Sequence, residues 1–220
     1  MDAIPASPTP PRRGRPPRSG PTQADTRTLL IQIGTEILSE RGFDTTGIDT
    51  VLKRAQVPKG SFYYYFASKE DFGLAIIDNY AAYFAKRLAC IFGDSGLTPR
   101  AQLETFIDSG IAGLEKYNFQ RGCLVGNLGQ EMASLNETFR LRLEAIMAEW
   151  EAVVEACLRA GQNTGEFDPA LDAATASRFF WLSWEGAVLR AKLAKSALPI
   201  KDFRLMVMSQ LQADIHAQSV

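Results

Sequence analysis

From Asp25 onward, apolar residues recur at helical rather than strand spacing. Leu30, Ile33, Ile37 and Leu38 form one stripe of a first helix that ends at "ERGF", where Gly42 suits the position just past a helix C-terminus. "TTGIDTVLKRAQV" (45–57) predicts a short second helix, opened by Thr46 and Asp49 in the spacing of a capping box. Pro58 then breaks the chain and can occupy the first turn of a third helix. A long helix is expected from near Ser68 to about Phe92, and others at about 98–117, 122–134, 136–162, 171–195 and 200–217. Breakers such as "GQNTGEFDP" (161–169) and "SALP" (196–199) separate the last three. There is no convincing period-2 alternation and no internal repeat. The pattern predicts an all-α chain of about nine helices.

"VPKGSFYYYFASKEDF" (57–72) sets three tyrosines between phenylalanines, with a lysine on either side. At 100° per residue Phe62, Tyr65 and Phe66 share one face, Gly60 and Tyr64 fall opposite, and Ser61 and Tyr63 lie on the flanks. Tyr65 therefore goes with the core and Tyr64 points outward. A strand would alternate Phe62, Tyr64 and Phe66 but leaves Pro58 and Gly60 without a role. A short helix with a bare outer face, following a turn and another short helix, is the layout of a helix-turn-helix DNA reader. Gly60 and Ser61 let backbone and hydroxyl approach a phosphate, and Lys59 and Lys69 supply charge at the two ends. A surface tyrosine cluster on an ordinary three-helix core fits the same periodicity.

Composition narrows the choice. The 220 residues are 46% hydrophobic, enough for a substantial core, and no apolar run reaches the roughly 18–20 residues of a membrane span. The N-terminal stretch lacks the apolar core of a secretory signal, so a cytoplasmic protein with no membrane partner is expected. Net charge is −1, yet residues 1–66 carry nine Lys and Arg against six Asp and Glu, while the rest carries 15 against 19. A basic N-terminal part on an acidic body points to an anionic partner for that part alone. Cys90, Cys123 and Cys157 match neither a disulfide framework nor a zinc spacing, and His216, the one histidine, lies four residues from the C-terminus. A general base there would be poorly held, so neither an enzyme nor a metal or cofactor is expected. Residues 1–24, rich in Pro, Arg and Gly, read as a disordered basic arm. Its "RRGRPPR" (12–18) looks like a minor-groove hook, with Arg12, Arg13, Arg15 and Arg18 as the contacting residues.

"TTGIDTVLKRAQVPKGSFYYYFASKEDF" resembles the N-terminal domain of TetR-family transcription regulators, over residues 27–75. The resemblance implies a TetR-like fold: a three-helix DNA-binding domain at 25–71 and a larger ligand-binding and dimerisation domain at 72–217. It implies that Thr46 and Lys69 contact phosphates, that Lys59, Gly60, Ser61 and Tyr64 lie in or beside the major groove, and that Tyr63 sits near the backbone. Gln56 departs from the pattern where a turn glycine is usual, Pro58 where a serine often caps, and Tyr64 where histidine is frequent. The last two helices would pair with a partner's to form a homodimer on a palindromic double-stranded DNA operator.

In such proteins the body encloses a small effector, and "RGCLVGNLGQEM" (121–132) is the candidate wall. On a helix Cys123, Asn127 and Gln130 share a face. Gly122, Gly126 and Gly129 cost about 1 kcal/mol each against alanine, tolerable where something must approach closely. Tight helix packing is the other reading. "YNFQRGCLVGNLGQEM" and "FFWLSWEGAVLRAKLAK" are similar to the acrylate-responsive branch of the family, which implies a repressor released by acrylate or acryloyl-CoA. The expected ligand residues are Tyr80, Tyr83, Cys123, Asn127, Trp181, Trp184 and Glu185, although tryptophans and tyrosines at helical spacing also suit a plain core. Electrophile-sensing relatives share Gly-Cys-Leu-x-Gly-Asn. That makes a Cys123 thiol, its pKa lowered by Arg121 and a helix N-terminus, the alternative sensor. An effector-independent DNA binder is the third reading.

Overall fold

The computed structural model describes residues 22–212, and among them every regular element is helical. The expected arm residues Arg12, Arg13, Arg15 and Arg18, and His216, lie outside the described residues. Helix α1 (Gln23–Arg41) opens on a reciprocal cap: Thr22 Oγ1 accepts the Asp25 N–H at 3.2 Å while the Asp25 carboxylate accepts the Thr22 N–H at 2.8 Å.

The capping box expected at Thr46 and Asp49 does not form. Helix α2 (Ile48–Ala55) begins after Gly47 with no side-chain cap. Thr46 Oγ1 instead donates to the Gly42 carbonyl at 2.6 Å, and its neighbour Thr45 donates to Arg41 O at 2.7 Å. The last carbonyls of α1 have no intrahelical partner, and the two threonines serve them first. Asp49 is left facing solvent, where it takes the Lys59 ammonium at 2.8 Å. Gln56, standing where a turn glycine is usual, does adopt the left-handed conformation (φ 56°), at a cost of about 1 kcal/mol.

The third helix of the reader is a 3-10 turn (Lys59–Ser61) running directly into α3 (Phe62–Tyr65). Phe62 and Phe66 are buried and pack on Phe72 at centroid distances of 5.4 and 4.8 Å, closing α1–α3 onto α4 (Lys69–Phe92). A Cβ on Gly34 would overlap Ile76 and Phe72, so glycine is what lets α1 lie against α4.

The body adds α5 (Pro99–Lys116), α6 (Leu124–Met132), α7 (Glu137–Thr164), α8 (Ala173–Ala194) and α9 (Leu198–Gln210). Helix α6 starts later than expected because Cys123 is its cap, and α9 begins two residues earlier, with Pro199 in its first turn. Phe84, Phe106, Trp150, Phe180 and Trp181 interlock in the centre, with Trp150 and Trp181 centroids 5.1 Å apart. Such aromatic burial supplies much of the hydrophobic stabilisation of the body. The outer faces of α8 and α9 are also apolar but uncovered: Phe179, Leu182, Leu189 and Leu193 on one, Leu198, Leu205 and Met206 on the other.

Candidate functional site

The outer face of the reader is bare, as the 100° reading requires. Tyr63 and Tyr64 are 70% and 67% exposed while Phe62 is fully buried and Tyr65 is half-buried. A Cβ on Gly60 would meet nothing within 4 Å, and Ser61 is half-buried beside it. Lys59 is exposed and held only by Asp49, a surface pair that a phosphate can displace at little cost. Lys69 donates to Asp44 O at 3.1 Å and lies 4.5 Å from the Phe43 ring centre, so it also fastens the corner between α1 and α2. Thr46 is the exception in this set. It is only 4% exposed, its hydroxyl is taken by Gly42 and its N–H by Phe43 O, so it shapes the corner and has nothing left for a phosphate.

A cavity of about 420 Å³ lies on the seam between reader and body. Tyr80, Tyr83, Phe84 and Arg87 of α4 form one wall. Ser109, Gly110 and Gly113 of α5, Cys123, and Trp184 and Val188 of α8 form others, and α1 of the reader contributes Thr35, Glu36 and Ser39. Gly110 is a glycine for a reason: a Cβ there would overlap the Trp184 indole.

Four of the seven expected ligand residues, Tyr80, Tyr83, Cys123 and Trp184, line this cavity; the other three do not. Trp181, one helical step from Trp184, faces inward instead. It is fully buried against Trp150 and Phe106, because α7 covers that side of α8. Asn127 is a strut: its amide donates to Ser39 O at 3.3 Å and accepts from Lys192 at 3.4 Å, tying α6 to α1 and α8. Glu185 lies behind Cys123, against Gly126, where a Cβ would overlap its carboxylate. Of the three glycines of the wall, Gly126 therefore answers to close approach, Gly122 is crowded by Lys192 and Val188, and Gly129 faces open space.

Cys123 caps α6, its Sγ accepting the Gly126 N–H at 3.5 Å. That bond favours a thiolate, but burial and then the Glu185 carboxylate push the thiol well above its ordinary range. Arg121 does not counter this, being engaged by Glu40 at 2.9 Å and Glu36 at 3.4 Å. The thiol is thus held neutral, contrary to the lowered pKa expected from its neighbours in sequence. Burial also pushes the Tyr80 phenol up.

Glu185 is pushed up to about 7 from an ordinary value of 4.5, by burial. Its Oε1 is sealed and has no hydrogen-bond partner. Between pH 4.5 and 7 the folded chain keeps a proton that the unfolded chain has shed, so this group's contribution to stability falls as pH rises through that window. Glu185→Gln, which cannot ionise, is expected to melt higher than the parent at pH 8, by the equivalent of about 1–3 kcal/mol, and to match it near pH 4.5. Thermal melts of both proteins across this range check the sign.

Sequence reasoning missed Arg87, Ser109, Gly113 and the α1 residues. Tyr80, Phe84 and Arg87 do stand at i, i+4 and i+7 on α4, so the wall could have been extended by periodicity. The parts contributed by α1 and α5 carry no such signal.

Among the described residues no group of three or more His, Cys, Asp or Glu could hold a metal ion, and no helix is long and apolar enough to cross a membrane. Residues 30–76 match the family of bacterial regulatory proteins, tetR family, and residues 99–207 match the tetracyclin repressor-like C-terminal domain. The transcriptional regulator AcuR of Cereibacter sphaeroides is 44% identical over 202 residues, 92% of each chain. The structure of a regulatory protein TetR from Rhodobacter sphaeroides superposes with a TM-score of 0.82 at 42% identity, covering 84% of this chain and 98% of that one. The reduced form of Escherichia coli NemR superposes at 0.80 with 27% identity, over 87% and 99%. An exposed helix-turn-helix face, a cavity on its seam and these matches agree: the chain belongs to the TetR family of bacterial transcriptional regulators, DNA-binding proteins and not enzymes.

Proposed function

We propose that the protein is a homodimeric repressor of a palindromic operator, released when a small effector, acrylate or acryloyl-CoA, enters the cavity on the seam. The observation that carries this reading is that the cavity takes its walls from both α1 of the reader and the helices of the body. A ligand there touches the part that reads DNA and the part that sets the distance between two readers. Lys59, Gly60, Ser61, Tyr63, Tyr64 and Lys69 would meet the operator, helped by the basic arm at residues 1–24. The uncovered faces of α8 and α9 would join the protomers. To empty the operator, the effector need only prefer a reader spacing that does not fit DNA; a preference of about 100-fold corresponds to about 2.7 kcal/mol. The effector class rests on the similarity of residues 117–132 and 179–195 to the acrylate-responsive branch.

Sensing through a Cys123 thiolate is the second reading, favoured by the placement of Cys123 in the cavity wall with its Sγ at a helix N-terminus. The raised thiol pKa argues for reversible binding instead. The two separate in one experiment: binding to DNA from upstream of the protein's own gene at fixed salt, with acrylate, acryloyl-CoA or a maleimide, for the parent and Cys123→Ser. Release of both proteins by acrylate or its thioester is expected. Release of the parent by maleimide alone, with Cys123→Ser unresponsive, would replace the effector reading by thiol sensing.

A further inference from the structure

Arg87 stands apart from the other cations of the cavity. Arg121 is neutralised twice, by Glu36 and Glu40, and Glu36, the one acidic residue of the wall, also serves Arg54 at 2.5 Å. Lys116 lies exposed at the mouth. Arg87 is half-buried, and among the described residues no carboxylate lies within ion-pairing distance of it. Its guanidinium donates to Ser109 Oγ at 2.5 Å, and that hydroxyl is already oriented by donating to Phe106 O at 2.7 Å. The guanidinium carbon lies 5.9 Å from the Phe84 ring centre. One neutral acceptor and one aromatic face do not satisfy five N–H donors and a full charge drawn partly out of water.

We propose that Arg87 is the anchor for the effector's anionic group, and that the effector is a short carboxylate. This deepens the effector reading above and rests on it. A carboxylate matches the planar fork of a guanidinium with two parallel hydrogen bonds, and Ser109 holds the fork in place. Tyr80, Phe84, Leu114, Trp184 and Val188 give the cavity a largely apolar side for a chain of a few carbons, while α1 and Arg121 supply polar lining. Gly113 keeps its side of α5 open, since a Cβ there would meet nothing within 4 Å. At about 420 Å³ the cavity takes a small acid whole, whereas a nucleotide thioester would leave most of its length beyond the mouth at Tyr83, Lys116 and Tyr117.

The test is calorimetric binding of acrylate, propionate, acrylamide and acryloyl-CoA to the parent, Arg87→Met and Arg87→Lys. Propionate cannot add to a thiol, and acrylamide is the neutral counterpart of acrylate. The parent is expected to prefer both carboxylates over acrylamide by about 30-fold, the worth of a charged bidentate contact. Arg87→Met should lose that preference while binding acrylamide within about threefold of the parent, and Arg87→Lys should keep part of it. Unchanged melting and unchanged operator binding without ligand show that the variants fold. Carboxylate binding unaltered by Arg87→Met overturns the anchor alone and leaves the effector reading standing. A parent that binds none of the four overturns both. Thioester binding that falls with Arg87→Met while the carboxylates bind equally to both proteins would put a phosphate on Arg87 and overturn the carboxylate assignment.

Discussion

Leu182→Glu is expected to turn the protein into a monomer and to lower its operator affinity by about 100-fold or more. Leu182 is 73% exposed, so the change should cost the isolated protomer little, on the order of 0.5 kcal/mol. Its neighbours explain why it should matter. Phe179, Leu182, Leu189 and Leu193 follow one another at i, i+3, i+10 and i+14 down a single face of α8, beside Leu198, Leu205 and Met206 of α9. An uncovered apolar face of this extent invites a second copy. In a two-fold interface each substitution counts twice, and each buried unpaired carboxylate costs several kcal/mol. A lone reader then contacts only half of a palindrome. Sedimentation and operator titration measure the two effects together. Leu141→Glu, at an exposed apolar position in α7 and so outside the two helices of this face, is the control and should change neither. A dimeric Leu182→Glu with full operator affinity would rule out the α8–α9 face as the interface.

The second large effect is expected at Glu131. Its carboxylate, in the last turn of α6, accepts the N–H groups of Phe43 (2.8 Å) and Asp44 (2.7 Å) at the corner between α1 and α2. Gly42 sits against it with φ +84°, leaving no room for a Cβ. Cys123 at the other end of α6 faces the cavity. Nine residues of helix, about 13 Å long, therefore run from the cavity to the reader, which Glu131 holds at its corner and Asn127 ties at Ser39 of α1. An amide can accept only one of the two N–H groups well and turns its own donors toward the other. Glu131→Gln should therefore lose about 2 kcal/mol of stability. It should bind effector with unchanged affinity but pass little of it on: operator weakening by saturating effector should fall from about 100-fold to under fivefold. Operator titrations with and without effector decide this. If Glu131→Gln is released as fully as the parent, Glu131 does not carry the signal, which then passes through Asn127, through the cavity's own contact with α1, or through α4.

Much of this molecule was legible in its sequence because helical periodicity reports which way a side chain points from its own axis. The split of Phe62, Tyr65 and Phe66 from Gly60 and Tyr64 follows from 100° per residue, and helical spacing of apolar residues also gave about nine helices; the pairing of the last two helices was implied only by the family resemblance. Periodicity does not report what a helix meets. Trp181 and Trp184 are three residues apart on one helix, and only the position of α7 makes the first core and the second cavity wall. Asn127 and Glu185 share faces with the right residues yet spend their polar atoms on α1 and α8 or against α6, not on the cavity. Thr46 stands in capping spacing, but the orphan carbonyls at the end of α1 claim its hydroxyl first.

Local sequence thus determined the helices, their apolar faces and the exposed reading surface, since each depends on spacing within about four residues. Which half-buried cation of the cavity has no carboxylate beside it among the described residues, whether the Cys123 thiol is charged, and which side chains link α6 to the reader were decided by tertiary packing alone. Those properties belong to pairs of groups 22 to 88 positions apart in the chain, such as Arg87 with Ser109, Cys123 with Glu185 and Glu131 with Phe43. Burial and Coulomb interactions depend on distance in space, and nothing in the spacing of a single helix encodes it.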